Sequence, residues 1–246
     1  MRLPWSVLFL LEFLSRELEG GGRMEKVLHV DVDLGIAFRA DAKAEGQLVV
    51  VGGWECIGGR RPADARWFSV QLTRKSAPWA FSKGEPFRTI AALELFGTLL
   101  CVVLFGDKWP KGSSGTMLLE GLTDNLGNTF SMSKLMTSKF PLVTILAELA
   151  AQLRSRAMGL KLSWTPREQN EEADALTNGN FSAFCPWRRL EVDVEKLSWI
   201  ILPEMLKAAS EIYERAKESK AAALTSGHRA AAPAPGHRPL REREPW

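Results

Sequence analysis

Four carboxylates in this chain stand out for their surroundings. Asp41 closes FRAD, Glu94 lies inside RTIAALELFGTLLCVVLF, Asp124 closes MLLEGLTD, and Asp174 lies inside PREQNEEADALT. Three of the four sit against strongly apolar sequence, where an ionised side chain is unfavourable to bury without a partner. Such groups must be paired, protonated or metal-bound, and metal binding is the leading reading. Mg²⁺ is a hard cation that takes oxygen ligands in near-octahedral geometry, with water and phosphate completing its shell. Two such ions about 4 Å apart activate a water and stabilise the leaving oxygen of a phosphodiester. Carboxylates gathered for that purpose repel one another until metal arrives.

Each carboxylate also has an ordinary structural explanation. Glu94 is the only charged residue between Ile90 and Phe105 and shares a helical face with Ala91, Thr98 and Cys101, all small, which leaves room for an ion. Its alternative is a lone surface stripe on a buried helix. Asp124 ends an apolar strand, where open α/β sheets gather ligands, and equally suits the N-cap of the helix that follows. Asp41 closes the first strand near the centre of the sheet, or is a turn residue. Asp174 sits one turn into a short helix behind Asn170, Glu171 and Glu172, an acidic first turn that the helix dipole favours by itself. The joint placement, two ending strands and two on helices, argues for the metal.

The elements that position them can be read in order. GIAFRAD, QLVVVGGWECIGG and ARWFSVQL are three short strands with Gly- and Pro-rich breaks too short for helical crossovers, so they form an antiparallel meander. Met24 to Asp33 reads as a linker or an edge strand. Thr73 to Pro86 is a polar loop. Phe87 to Phe105 is a helix apolar almost all round, hence buried. After a Gly112–Gly115 loop come the strand TMLLEGLTD and two helices, Asn125 to Thr137 and Pro141 to Met158. The strand LKLSW and the short helix NEEADALTNG close the pattern, with Gly179 as its stop. Such an order makes an α/β mixed sheet in which a meander is extended by parallel strands through helical crossovers.

The 246 residues hold one good-sized domain with accessory segments, and 46% hydrophobic with 25% charged residues are ordinary globular values. The net charge of +3 permits a nucleic-acid partner without requiring one. Three cysteines without paired spacing and three histidines argue against a disulfide framework or a zinc finger, and for a reducing intracellular compartment, cytoplasmic or nuclear. The opening MRLPWSVLFLLEFLSRELEG imitates a secretory signal, but Glu12 interrupts it and its apolar run is too short to span a bilayer. It is expected to be an amphipathic helix packed on the domain, with no membrane partner. Pro203 to Ala223 has apolar residues at helical spacing, and 224–246 has the composition of a disordered tail.

At Asp174 the segment WTPREQNEEADALTNG resembles the closing motif of type 1 ribonuclease H domains, W-x-P-R-x-x-N-x-x-A-D-x-L. TDN at Asp124 and ALEL around Glu94 resemble that family's strand-end and helix motifs, and RADAKAEG at Asp41 its first. The likeness is to ribonuclease H domains of retroelement reverse transcriptases, DIRS-like ones in particular, whose linker resembles LPWSVLFLLEFL.

The resemblance implies a ribonuclease H-like five-stranded mixed sheet with helices on both faces. It also implies two Mg²⁺ or Mn²⁺ ions held by Asp41, Glu94, Asp124 and Asp174, and hydrolysis of RNA in an RNA–DNA hybrid. The implied organisation is an N-terminal helix and linker over 1–34, a remnant of a polymerase connection. The ribonuclease H-like domain spans 35–180, a C-terminal extension with an amphipathic helix 181–223, and a disordered tail 224–246. A reverse transcriptase polymerase domain is the implied protein partner.

Many active members carry a histidine where this chain has Arg167, Glu168 and Gln169, and Lys43 and Glu45 stand where the first strand usually has small residues. The alternative is therefore a catalytically inactive nucleic-acid-binding remnant. Hybrid binding needs cations and donors for ribose hydroxyls. Asn125, Asn128, Ser131, Lys134 and Arg167 are the candidate contacts, with Lys139, Arg154, Arg156 and Lys161 nearby; the alternative is a solvated basic face. Trp54, Trp67, Trp79 and Trp164 are expected in the core or packed on the sheet; the alternative is base-stacking platforms.

Overall fold

Runs of β-branched and aromatic residues at period two build a sheet whose order is β3-β2-β1-β4-β5. The computed structural model describes residues 30–109, 116–137 and 139–208, together with residues 11, 15 and 19. The chain divides into two compact units, Met1–Lys207 and Ala208–Trp246, and the sheet belongs to the first. β1 (Val30–Glu45), β2 (Leu48–Glu55) and β3 (Trp67–Leu72) form the antiparallel meander. β4 (Thr116–Thr123) and β5 (Met158–Trp164) extend it in parallel, β4 against β1 and β5 against β4. This is the five-stranded mixed sheet that the sequence implied.

Four helices are fully bounded among the described residues: α1 (Ile90–Phe105), α2 (Leu126–Lys134), α3 (Leu142–Ser155) and α4 (Glu171–Thr177). α1 starts later than expected, because Pro86–Thr89 is a 3-10 turn. Leu93, Leu95, Phe96, Leu99 and Leu100 of α1 are fully buried. The stretch 86–108 is long and apolar enough to cross a membrane, yet 78% of its most apolar window is buried inside the domain, as in a core helix.

Helices cover both faces of the sheet, and two glycines in β2 let them approach. A Cβ on Gly52 would meet Leu176 of α4 at 2.8 Å, and one on Gly53 would meet Cys101 of α1 at 2.6 Å. Neighbours in a strand point to opposite faces, so this pair carries a helix on each side.

Two expectations change. β1 begins at Val30, so residues 30–34 are not linker or edge but part of the central strand, pairing with β4 from Val30↔Thr116 onward. β1 also continues past Asp41 to Glu45, so Asp41 lies within a paired strand and does not close one.

The expected extension beyond 180 packs on the same core. Phe184 packs on Trp54 and Trp67, with ring centroids 5.9 and 5.4 Å apart, and Val194, Ile201, Leu202 and Met205 are buried. The fully buried Glu148 of α3 accepts the main-chain N–H groups of Ile200, Ile201 and Leu202 at 2.9, 2.7 and 2.8 Å. Those donors precede and open the helical residues 202–208, so a charge meets the positive end of a helix.

Residues 11, 15 and 19 are helical. The rest of the expected N-terminal helix and linker, the expected Gly112–Gly115 loop, the expected helix beyond residue 208 and the expected 224–246 tail lie outside the described residues.

Candidate metal centre

Three elements bring three carboxylates together. Asp41 comes from the middle of β1, Glu94 from the first turns of α1, and Asp124 from the residue after β4. One oxygen of each lies within 4.8 Å of the others. α1 crosses close to β1 because Gly97, one turn after Glu94, has no side chain; a Cβ there would stand 3.2 Å from Val51 and 3.3 Å from Ala40.

Asp41 is only 7% exposed, and its carboxylate accepts the Thr177 hydroxyl of α4 at 2.7 Å. Burial holds its pKa above the ordinary carboxylate value; the Thr177 hydrogen bond opposes this, and the charges of Asp124 and Asp174 add to it. Glu94 accepts from the Thr123 hydroxyl at 3.4 Å. Burial first, and then the charges of Asp124 and Asp41, push it up to about 9. A lone stripe on a buried helix would not crowd Glu94 against two other acids.

Asp124 is not the cap of α2; Asn125 fills that role, accepting the N–H of Asn128 at 3.1 Å. One carboxylate oxygen of Asp124 is buried and has no hydrogen-bond partner among the described residues. A buried, unpartnered carboxylate oxygen between two other acids is what a hard cation satisfies. The donor set thus fits a divalent, oxygen-liganded ion, held by Asp41, Glu94 and Asp124.

The expected fourth member stands apart. Asp174 accepts from Arg167 at 2.6 Å and from the Asn178 amide at 2.7 Å, and it is not in the group of three. It still lies near enough for its charge to act on Asp41. Three of the four expected carboxylates meet here, and Asp174 stands beside them in an ion pair with Arg167.

The candidate substrate contacts divide in the same way. Asn128 is fully buried and its amide donates to the Ala91 carbonyl at 2.9 Å, so it holds α2 against α1 and cannot face a ligand. Asn125 is half-buried with its side-chain oxygen engaged as a cap. Arg167 is exposed but paired to Asp174. Ser131 is half-buried and Lys134 exposed. Of the other cations, Lys161 pairs with Glu120 at 3.1 Å and Arg156 with Asp107 at 3.5 Å. Lys43 lies 3.0 Å from both Asn178 and Glu45, so those two charges satisfy each other beside the three acids.

Sequence reasoning missed Trp164. Trp54, Trp67 and Trp79 are buried as expected, but Trp164 is 51% exposed. Its indole N–H donates to the Asp124 carbonyl at 3.1 Å, which sets a bare aromatic face beside the acids. Thr177 was missed as well, and no local signal ties it to a residue so far back in the chain.

No protein-family model matches the chain, and no curated protein does. Among solved structures it is similar to RNase H1 from the halophilic archaeon Halobacterium salinarum NRC-1, at 15% identity over 60% of this chain and 98% of that one, with a TM-score of 0.38. It is also similar to LC11-RNase H1 isolated from compost, at 18% identity over 61% and 96% of the two chains, with a TM-score of 0.42. LC11-RNase H1 in complex with an RNA/DNA hybrid gives 19% identity, 59% and 95% coverage, and a TM-score of 0.39.

Proposed function

We propose that this chain is a metal-dependent endonuclease of the ribonuclease H type, hydrolysing the RNA strand of RNA–DNA hybrids. The observation that supports it most is the meeting of Asp41, Glu94 and Asp124 from three separate elements, their oxygens within 4.8 Å. Asp41, Glu94 and Asp124 would hold the divalent ions, Mg²⁺ or Mn²⁺. When bound, such ions supply an activated water and stabilise the leaving oxygen of a phosphodiester.

The chain's own residues prepare that site. Thr177 and Thr123 fix the carboxylates of Asp41 and Glu94 through their hydroxyls. Trp164 fixes the main chain of Asp124 and offers an aromatic face on which a base or sugar can stack. Lys134 supplies a cation for backbone phosphate.

The finer reading is the ribonuclease H part of a retroelement reverse transcriptase. The motifs around Asp174, Asp124 and Glu94 support it, with the LPWSVLFLLEFL segment as the remnant of a polymerase connection. Free Cys56, Cys101 and Cys185 support a reducing compartment, cytoplasmic or nuclear.

A second reading, a binding remnant without turnover, draws on one observation: Arg167 holds Asp174 out of the acidic group. The two part in a cleavage assay on a strand-labelled RNA–DNA hybrid, with Mg²⁺ or Mn²⁺ and with EDTA as control. Metal-dependent cuts in the RNA strand alone, absent in Asp124→Asn, support the nuclease. A folded protein that binds the hybrid and never cuts it with either ion supports the remnant.

A further inference from the structure

A second, chemically different cleft lies toward the start of β1. It encloses about 440 Å³ and is lined by Ile36, Arg39, Trp54, Cys56 and Arg60, among others. Two guanidinium groups enter it, each anchored at one nitrogen: Arg39 donates to the Gln169 carbonyl and Arg60 to the Glu55 carboxylate. Anchoring at one nitrogen leaves the rest of the planar fork oriented, with no other carbonyl or carboxylate partner among the described residues. Trp54 is only 5% exposed, and its buried indole N–H has no hydrogen-bond acceptor among the described residues. A buried donor without an acceptor is rare enough to ask what completes it.

Both cations of the cleft itself are guanidinium groups, Arg39 and Arg60. Glu55 is shared by Arg60 and by Arg66, which does not line the cleft, and Glu172 is the other acid acting on Cys56 beside Arg39. Cys56 adds no negative charge, since burial pushes its thiol up to about 12.

We propose that this cleft binds a phosphate group through Arg39 and Arg60. Planar guanidinium forks with free N–H groups match the oxygens of phosphate in charge and geometry. Two sources share that chemistry: free phosphate, including a nucleotide, and the phosphodiester backbone of a nucleic acid. Arg39 and Asp41 lie on one face of β1, about 7 Å apart along the strand, so a strand lying across the acids passes within reach of the cleft. Binding here does not depend on metal at the acids or on cleavage.

The test uses the full chain in EDTA, which silences the metal centre. Calorimetry with inorganic phosphate reads the first source, and anisotropy of a labelled single-stranded oligonucleotide reads the second. Arg39→Gln and Ile36→Glu are compared with wild type. Ile36 is 41% exposed, so a carboxylate there charges the mouth of the cleft without disturbing the core, and it decides the matter if Arg39→Gln fails to fold. Either probe binding to wild type and weakening at least tenfold in the folded variants supports the site. The probe that binds identifies the source. No binding of either probe, or binding undiminished by Ile36→Glu, overturns it. Asp124→Asn should bind phosphate as wild type does even if it cuts nothing, which separates this site from the catalytic one.

Discussion

The indole N–H of Trp164 donates to the main-chain carbonyl of Asp124 at 3.1 Å, tying the end of β5 to the residue that leaves β4. The ring therefore does two things, and two substitutions separate them. Trp164→Phe keeps an aromatic face and loses one neutral hydrogen bond, so unfolding free energy should fall by about 1 kcal/mol with KM for a hybrid little changed. Trp164→Ala loses the face too, and its KM should rise about tenfold, the scale of one stacked base. Equal KM values in both variants would remove the stacking role.

Removing one charge from the acidic group should stabilise the metal-free protein. Asp124→Asn relieves the repulsion that raises Glu94 and Asp41, so its melting temperature in EDTA should exceed that of wild type. Millimolar Mg²⁺ should raise the melting temperature of wild type and leave Asp124→Asn nearly unmoved, since a ligand stabilises only the state that binds it. Scanning calorimetry of both proteins with and without Mg²⁺ checks this.

The same site sets a pH dependence. Burial first, and then the charges of Asp124 and Asp41, push Glu94 up to about 9 from the ordinary carboxylate range, so the folded protein holds a proton that the unfolded chain has released. Stability from this group is then full below the unfolded pKa and falls as pH rises toward 9. In EDTA, the melting temperature of wild type minus that of Glu94→Gln should decline from pH 5 to pH 8.5. A flat difference would place Glu94 in a less crowded setting. Divalent-ion affinity should rise over the same interval, because binding displaces that proton.

Arg167→Gln should free Asp174 from its ion pair. Mn²⁺ affinity, read by titration calorimetry, is expected to increase several-fold if the freed carboxylate turns toward the acids. Unchanged affinity would keep Asp174 out of the metal shell.

Glu148→Ala should destabilise the domain by about 3 kcal/mol, since two buried N–H groups, the part-buried Ile200 N–H and the Gln152 amide lose their carboxylate acceptor. Urea unfolding measures it. A loss below 1 kcal/mol would mean that 198–207 is held by its apolar contacts alone.

Element order and the meeting of Asp41, Glu94 and Asp124 were legible because each acid interrupts an apolar run whose period fixes its element. Trp164 was not: it follows Leu160 and Leu162 at period two, and sequence cannot say that the last residue of a strand projects past its covering helix. Asn128 looked like a surface polar residue, yet it sits on the face of α2 that meets Ala91. Arg167 and Asp174 are seven residues apart, and only the 3-10 turn Arg167–Gln169 swings one back onto the other. The 181–201 segment lacks any period, being built of short turns, so its anchoring by Phe184 and Glu148 was hidden.

Gly52 and Gly53 carry no chemistry, yet both layers of the molecule rest on them. A side chain at Gly52 lifts α4, and Thr177 with it, off Asp41; one at Gly53 lifts α1 and displaces Glu94. A survey of every single substitution, scored by activity, would thus show intolerance at two silent positions as deep as at the acids. Its cause would be separation of the walls of the site, not loss of any reacting group.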